Sequence, residues 1–276
     1  MPSFDVTAII NAHREGLLAQ PSLRSLSEAV KKAEDAGLTV EIVSVLDRPD
    51  PTTREVFERF ANEQRNIRLM DVDHGDPGLS RNSGVSAAQG AWIALLDADD
   101  LWCSNWLSDA YRAAESDGRQ VAWHPEVNVY FGINPHIFTH VDMEDPSYEH
   151  AGLALYNYWT SLCLAPRSLF LEVPYRGSAL NQQIGYEDWT WNMDVVASGA
   201  LHKIVPGTGH AIRMKEVSVL RQTNAMRSLP IPSELFRHLL SDRKGQRDLI
   251  SPSTERRFSR VPPRSAPGDD SASVEA

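Results

Sequence analysis

The chain has 276 residues, 42% of them hydrophobic, and a formal net charge of −10. That balance argues against a nucleic-acid binder, which needs a basic face, so any phosphate ligand has to be held locally by a metal, backbone amides or a few arginines. Cys103 and Cys163 form neither a disulfide framework nor a metal-ligand spacing, and are expected as free thiols.

Phe4–Ile10 reads as a short buried strand, followed by the polar loop Asn11–Gly16. Leu17, Leu18, Leu23, Leu26, Ala29, Val30 and Ala33 recur at helical spacing over 17–36, with Gly37 as the stop. Val40–Leu46 is a second apolar strand ending at Asp47. Thr52-Thr-Arg-Glu55 resembles a capping box opening a helix to about Ala61. Ile67–Val72 is a third strand, Gly75–Gly78 a loop and Leu79–Gln89 a short helix. Ala91–Leu96 is a fourth strand and Asn105–Ser116 another helix. Alternating strands and helices predict an α/β fold with a mostly parallel sheet covered on both faces. Beyond residue 120 the order is less regular. Val121–Phe131 alternates like a strand, and Gly185–Ser198 reads as a loop entering a helix. His202–Val219 suggests two short strands around Pro206–Gly209. A further helix is expected near Leu235–Leu240, and residues 251–276, rich in Ser, Pro, Arg and Asp, are expected to be disordered. The N-terminus lacks a basic region followed by an apolar stretch, and no apolar run is long enough to cross a bilayer. The expected location is cytoplasmic, with any membrane contact peripheral, at the inner face.

The most informative segment is Ala91-Trp-Ile-Ala-Leu-Leu-Asp97-Ala-Asp99-Asp100. An apolar run that stops in carboxylates places them at the carboxyl edge of a sheet, where open α/β folds bind ligands. Asp97 and Asp99, two apart, face the same way on an extended chain. Like charges that close call for a cation between them or a shared proton. Mg²⁺ or Mn²⁺ is the natural cation, since both prefer oxygen ligands and bring substrate phosphates with them.

Taken in order, the polar loop after the first strand, Asp47, Gly78-Leu-Ser-Arg-Asn-Ser-Gly84, Trp92–Asp100 and Gly185-Tyr-Glu-Asp-Trp189 resemble the family 2 glycosyltransferases of the GT-A fold. The resemblance covers residues 4–115 well and extends more loosely to about 220. It implies a Rossmann-like nucleotide-sugar-binding half over 1–119 and an irregular acceptor and catalytic half over 120–227, with 228–276 as an extension. It implies that His13 stacks on the base, that Glu15 lines the donor loop, and that Asp47 accepts a base N–H, commonly that of uracil. Arg81 would position the base or diphosphate. Asp97 would contact the ribose or metal shell, and Asp99 would ligate the ion. Asp188 would be the general base, with adjacent Glu187 able to share or exchange that role. Alternation puts His210 and Ile212 on one strand face, and Arg213 and Lys215 on the other. In some enzymes of this fold a late histidine completes the metal shell and a nearby basic residue touches the diphosphate, which makes His210 a candidate ligand. Trp189 and Tyr186, beside the base, suit stacking on a sugar acceptor. Asn11, Arg14 and Arg48-Pro49 depart from the family pattern around the base pocket.

The reading that follows is a metal-dependent, inverting hexosyltransferase, with Mn²⁺ or Mg²⁺. It would move a sugar from a nucleotide-diphosphate donor, UDP-sugar favoured, to a glycan, glycolipid or polysaccharide. The alternatives are a catalytically silent nucleotide-sugar-binding protein and a sugar nucleotidyltransferase. The latter would need a Gly-rich, basic loop after the first strand, where Asn11–Gly16 offers one Gly and one Arg.

Overall fold

The computed structural model describes residues 2–216 and 218–235, and the chain to Leu235 forms one compact unit. The expected helix near 235–240 and the tail 251–276 lie outside the described residues. In chain order the elements are β1 (Phe4–Ala12), α1 (Ala19–Asp35), β2 (Val40–Asp47), α2 (Pro51–Glu63), β3 (Ile67–Val72), α3 (Pro77–Ala87), β4 (Gly90–Asp97) and β5 (Leu101–Trp102). There follow α4 (Trp106–Asp117), β6 (Val121–Gly132), β7 (His136–Thr139), β8 (Leu164–Pro166), α5 (Arg167–Glu172), α6 (Glu187–Ala197), β9 (Leu201–Met214) and α7 (Val219–Ala225).

Among the described residues, β1 to β9 join one mixed sheet in the order β3-β2-β1-β4-β8-β6-β9-β5, with β7 paired to β6. The first four strands are parallel. β8 is antiparallel to both β4 and β6, and β6 and β9 run parallel. Sequential strands β1, β2 and β3 run outward one way, and β4 then packs on the other side of β1. That reversal opens a crevice between the carboxyl ends of β1 and β4, where Asn11 lies opposite Asp97.

Period-two alternation divides the core between the two faces of the sheet. Val6, Ala8 and Ile10 of β1 pack with Leu26, Phe57 and Trp106 from α1, α2 and α4. Ile9 points the other way, toward Val85, Phe170 and Trp191 of α3, α5 and α6. Strands buried on both faces read as continuous apolar runs, which is why β1, β2 and β4 are visible in the sequence.

The starts of two helices and the extent of one strand differ from expectation. The start of α2 is set by Asp50, whose carboxylate accepts from Thr53 N at 2.7 Å with Pro51 following it; the Thr52–Glu55 box does not cap it. α3 starts the same way, with Asp76 accepting from Leu79 N at 2.9 Å and Pro77 next. The two short strands expected around Pro206–Gly209 are one continuous β9. The pairing absorbs Pro206 and Gly207 through a register shift against β6 between Pro125 and Val127.

Candidate active site

Four strand ends and one helix end meet at the crevice. β4 delivers Asp97 and, one turn on, Asp99 and Asp100. β1 delivers His13 and Glu15 through its following loop, and β2 delivers Asp47. β9 delivers Arg213 and Lys215, and α6 begins with Glu187 and Asp188.

The centre of the arrangement is Arg81, on α3. Its side chain is almost wholly buried. Nη2 donates to both oxygens of Asp97 at 3.0 Å, and Nη1 to Glu187 Oε1 at 3.0 Å. Burial opposes its charge, but Asp97, the Tyr175 hydroxyl and Glu187 outweigh that, and the guanidinium is held firmly protonated. The planar fork therefore ties the end of β4 to the start of α6, whose Glu187 lies 106 residues from Arg81. Gly78 makes the approach possible: a Cβ there would lie 3.1 Å from Glu187 Cγ and 3.1 Å from Tyr175 Cβ. Asn82 completes the joint, donating from Nδ2 to Tyr175 O at 2.8 Å and accepting from Tyr175 N at 3.0 Å.

Asp188 sits beside Glu187 with no cation of its own among the described residues. Its Oδ1 accepts from Trp189 N at 2.8 Å and its Oδ2 from Asn157 Nδ2 at 3.2 Å. Burial first, then the Glu187 charge, push its carboxyl up to about 7, against the smaller pull of Arg81. The two acids named together in sequence are thus chemically distinct: Glu187 is committed to Arg81, and Asp188 is poised to exchange a proton near neutrality. Asn157, which orients Asp188 and is itself held by Asn192 Nδ2 at 2.8 Å, carries no sequence signal; only the fold brings the 157 loop to α6.

Asp47, expected to accept from a nucleobase, is engaged here by donors of its own chain. Oδ1 accepts from His74 N and Gly75 N, both at 2.9 Å, and Oδ2 from Asp76 N at 3.1 Å and Ser80 Oγ at 2.9 Å. A carboxylate offers about four acceptor positions, so none is left for a ligand. Burial raises its pKa, but these hydrogen bonds outweigh that and leave it lowered. Asp47 shapes the loop before α3. His13 is exposed at the same mouth, with Nδ1 against Asp47 O, and its backbone N–H donates to Glu15 Oε2 at 2.6 Å. Burial raises the Glu15 carboxyl.

The acidic turn is bound by β9. Asp100 is buried and accepts from Arg213 N at 2.7 Å, while Arg213 Nε donates to Asp99 O at 3.2 Å. Lys215 Nζ lies 2.6 Å from Asp99 Oδ2. Asp99 Oδ1 has no partner among the described residues. A magnesium or manganese site that relies on one or two carboxylates and substrate phosphates needs no full protein cage, and Asp99 fits such a site. Asp97, already taken by Arg81, fits it less well. His210 does not fit. Its ring is buried against Trp102 and Trp106, with centroids 4.6 Å apart for the latter, and burial holds it neutral. Among the described residues no three His, Cys, Asp or Glu side chains are grouped to hold an ion, so the shell expected from Asp97, Asp99 and His210 is not assembled.

Of the aromatic candidates, Trp189 is partly exposed and donates from Nε1 to Leu153 O at 2.8 Å. Tyr186, at φ 57°, donates its hydroxyl to Asn224 of α7. Trp159 and Trp191 belong to the core. Both cysteines are free thiols.

The model of the family described as "Glycosyl transferase family 2" matches residues 7–162, more than half of the chain. The chain belongs to this family. Succinoglycan biosynthesis protein ExoO of Rhizobium meliloti is 31% identical over 118 residues, 43% of this chain and 32% of that protein. Cholesterol galactosyltransferase of Borreliella burgdorferi is 26% identical over 114 residues, 41% of this chain and 32% of that protein. The aligned segments thus span about a third of these relatives. The crystal structure of S. aureus TarS 1-349 in complex with UDP superposes with a TM-score of 0.62 at 14% identity, covering 93% of this chain and 72% of that one. Its complex with UDP-GlcNAc gives 0.61 at 15%, covering 93% and 73%. The family 2 member therefore has the expected GT-A fold. No helix among its described residues is long and apolar enough to cross a membrane.

Proposed function

We propose that this family 2 protein transfers a sugar from a nucleotide-diphosphate donor, a UDP-sugar, to the hydroxyl of a glycan or glycolipid with inversion at the anomeric carbon. The observation that carries the reading is the Arg81 bridge. It joins Asp97, at the carboxyl end of β4, to Glu187 at the start of α6, which supports reading the adjacent Asp188 as the proton acceptor. A donor lying in the β1–β4 crevice has its diphosphate by the acidic turn and its sugar toward α6. The complexes of TarS with UDP and UDP-GlcNAc support the donor class, and the likeness to a succinoglycan biosynthesis protein and a cholesterol galactosyltransferase supports the acceptor class.

The chemistry divides among the chain's own groups. Asp188 accepts the proton of the attacking hydroxyl, with Asn157 fixing which oxygen faces it. Glu187 and Asp97, both held by Arg81, keep that base at a set distance from the diphosphate end. The open mouth around His13 and Glu15 receives the nucleoside. Trp189 offers an apolar face to a sugar acceptor. Asp99 is the residue that would hold Mn²⁺ or Mg²⁺, and such an ion, when bound, supplies positive charge to the departing diphosphate.

Product analysis tests this. Incubation with a panel of UDP-sugars, Mn²⁺ and glycan acceptors should release UDP. Release of pyrophosphate would mean nucleotidyl transfer instead, and binding without turnover would mean a silent sugar-nucleotide binder.

A further inference from the structure

The crevice is lined by more acidic than basic side chains, and the few basic ones are unequal. Glu15, Asp97, Asp99, Asp100, Glu187 and Asp188 line it, against Arg81, Arg213 and Lys215. Arg81 is immobilised by two carboxylates and is nearly inaccessible. Arg213 is pinned by its backbone N–H to Asp100, by its Nε to Asp99 O, and by its guanidinium stacked 4.6 Å over the Phe131 ring. Lys215 is the exception. It lies one residue beyond the end of β9, keeps 29% of its side chain exposed, and pairs through Nζ with Asp99 Oδ2 at 2.6 Å. Its ammonium also feels the charges of Glu15 and Asp100, so it can leave Asp99 without leaving the acidic neighbourhood.

We propose that Lys215 is a captive counter-ion: it holds the Asp99 carboxylate against a divalent cation until a nucleoside diphosphate arrives, and so couples binding of the cation to binding of the donor. The inference rests on the donor reading above. Without a nucleotide, a divalent ion on Asp99 Oδ1 faces the charge of the ammonium held on Oδ2, and one that takes Oδ2 as well must displace the ammonium among carboxylates. With a diphosphate present, the displaced ammonium has phosphate oxygens to pair with, and the ion gains phosphate ligands. Each ligand then helps the other, and by linkage the help is equal in both directions. The same arrangement keeps the empty site from taking up a cation that would have no substrate to act on.

The test compares wild type with Lys215→Met and Lys215→Gln, reading Mn²⁺ binding by the loss of the free-ion paramagnetic resonance signal, with and without saturating UDP. Wild type should bind Mn²⁺ weakly alone and much more tightly with UDP. Both variants should bind Mn²⁺ alone about tenfold more tightly, as expected for freeing a half-buried carboxylate from one ion pair. The enhancement by UDP should shrink by a similar factor. Lys215→Arg, which preserves the charge, should stay close to wild type. A damaged site would weaken binding in both conditions, so a gain in Mn²⁺ affinity alone separates this role from a structural one. Unchanged or weaker Mn²⁺ binding alone in both neutral variants would overturn the proposal. A wild-type protein indifferent to UDP would overturn the donor reading instead, and the Mn²⁺-only comparison would still decide whether Lys215 guards Asp99.

Discussion

Glu187 and Asp188 are neighbours in the chain with opposite electrostatic circumstances, and the difference is measurable. Burial and the Glu187 charge hold Asp188 at about 7, above the ordinary value near 4. Between about pH 4 and pH 7 the folded protein keeps a proton that the unfolded chain has released, so this group makes stability fall as pH rises through that window. Asp188→Asn removes the penalty. Its melting temperature relative to wild type should rise from about pH 4 to pH 8, and thermal melts across that range check it; a constant difference would mean an unshifted Asp188. Turnover of the wild type should climb with pH through about 7, and the Asn variant should lose roughly two or more orders of magnitude in rate while keeping UDP affinity. Arg81 is the complementary case. Arg81→Met leaves Asp97 and Glu187 facing each other without a counter-charge, and breaking a buried pair this way costs about 3 kcal/mol or more. Arg81→Lys should recover little of it, because one ammonium cannot reproduce a fork that reaches two carboxylates at once. Urea unfolding of the two variants reads both statements, and full recovery by Lys would show that charge alone, without the fork, is enough.

At the scale of elements, α3 explains why a motif with glycine at both ends surrounds Arg81. Gly84 lies against the sheet, where a Cβ would come within 2.8 Å of Ile9 Cγ2 and 3.1 Å of Val45 Cγ2. Gly78, two turns earlier, faces Glu187 instead. The two positions should fail differently. Gly84→Val overpacks the sheet–helix interface and should cost about 2 kcal/mol in stability, while Gly78→Ala, which needs its neighbours to give by only a few tenths of an ångström, should cost less stability and lose turnover by displacing the start of α6. Unfolding curves beside transfer rates separate them, and equal losses of stability would contradict the assignment. The same helix shows what a sequence reveals. Its glycines, arginine and capping Asp76 are legible as a pattern, because capping and close packing each demand a particular residue type. The use of Arg81 is not legible, since its second partner lies 106 residues away. β9 reads as two strands for a related reason. Pro206 and Gly207 are breakers by local rules, and only pairing with β6, through the register shift, shows that the strand runs on.

On the scale of the whole molecule, the half built from parallel strands was readable and the half built from returning strands was not. β1–β4 are apolar runs spaced by helices, so composition and period suffice to order them. β6, β8 and β9 pair with strands distant in sequence, and the loops between β7 and α6 carry Asn157 with no repeating signal. The consequences for the site follow that division. Asp97 and Asp99 lie at the end of β4 and Asp188 at the start of α6, while Asp47 is engaged by four donors of its own chain and His210 is packed against two tryptophans. Since the crevice draws on β1, β2, β4, β9 and α6, a donor that fills it ties the unit together, and that can be read as a melting temperature. A ligand binding only the folded state at about 100 times its dissociation constant adds roughly 2.7 kcal/mol, worth about 5–10 °C for a domain of this size. UDP with Mn²⁺ should give a shift of that order, with GDP, dTDP and CDP giving less and UDP without the metal giving a small fraction. A preference for another nucleotide would move the donor class without disturbing the site. Equal stabilisation by UDP with and without Mn²⁺ would assign the diphosphate to the chain's own cations and remove Asp99 as a metal ligand.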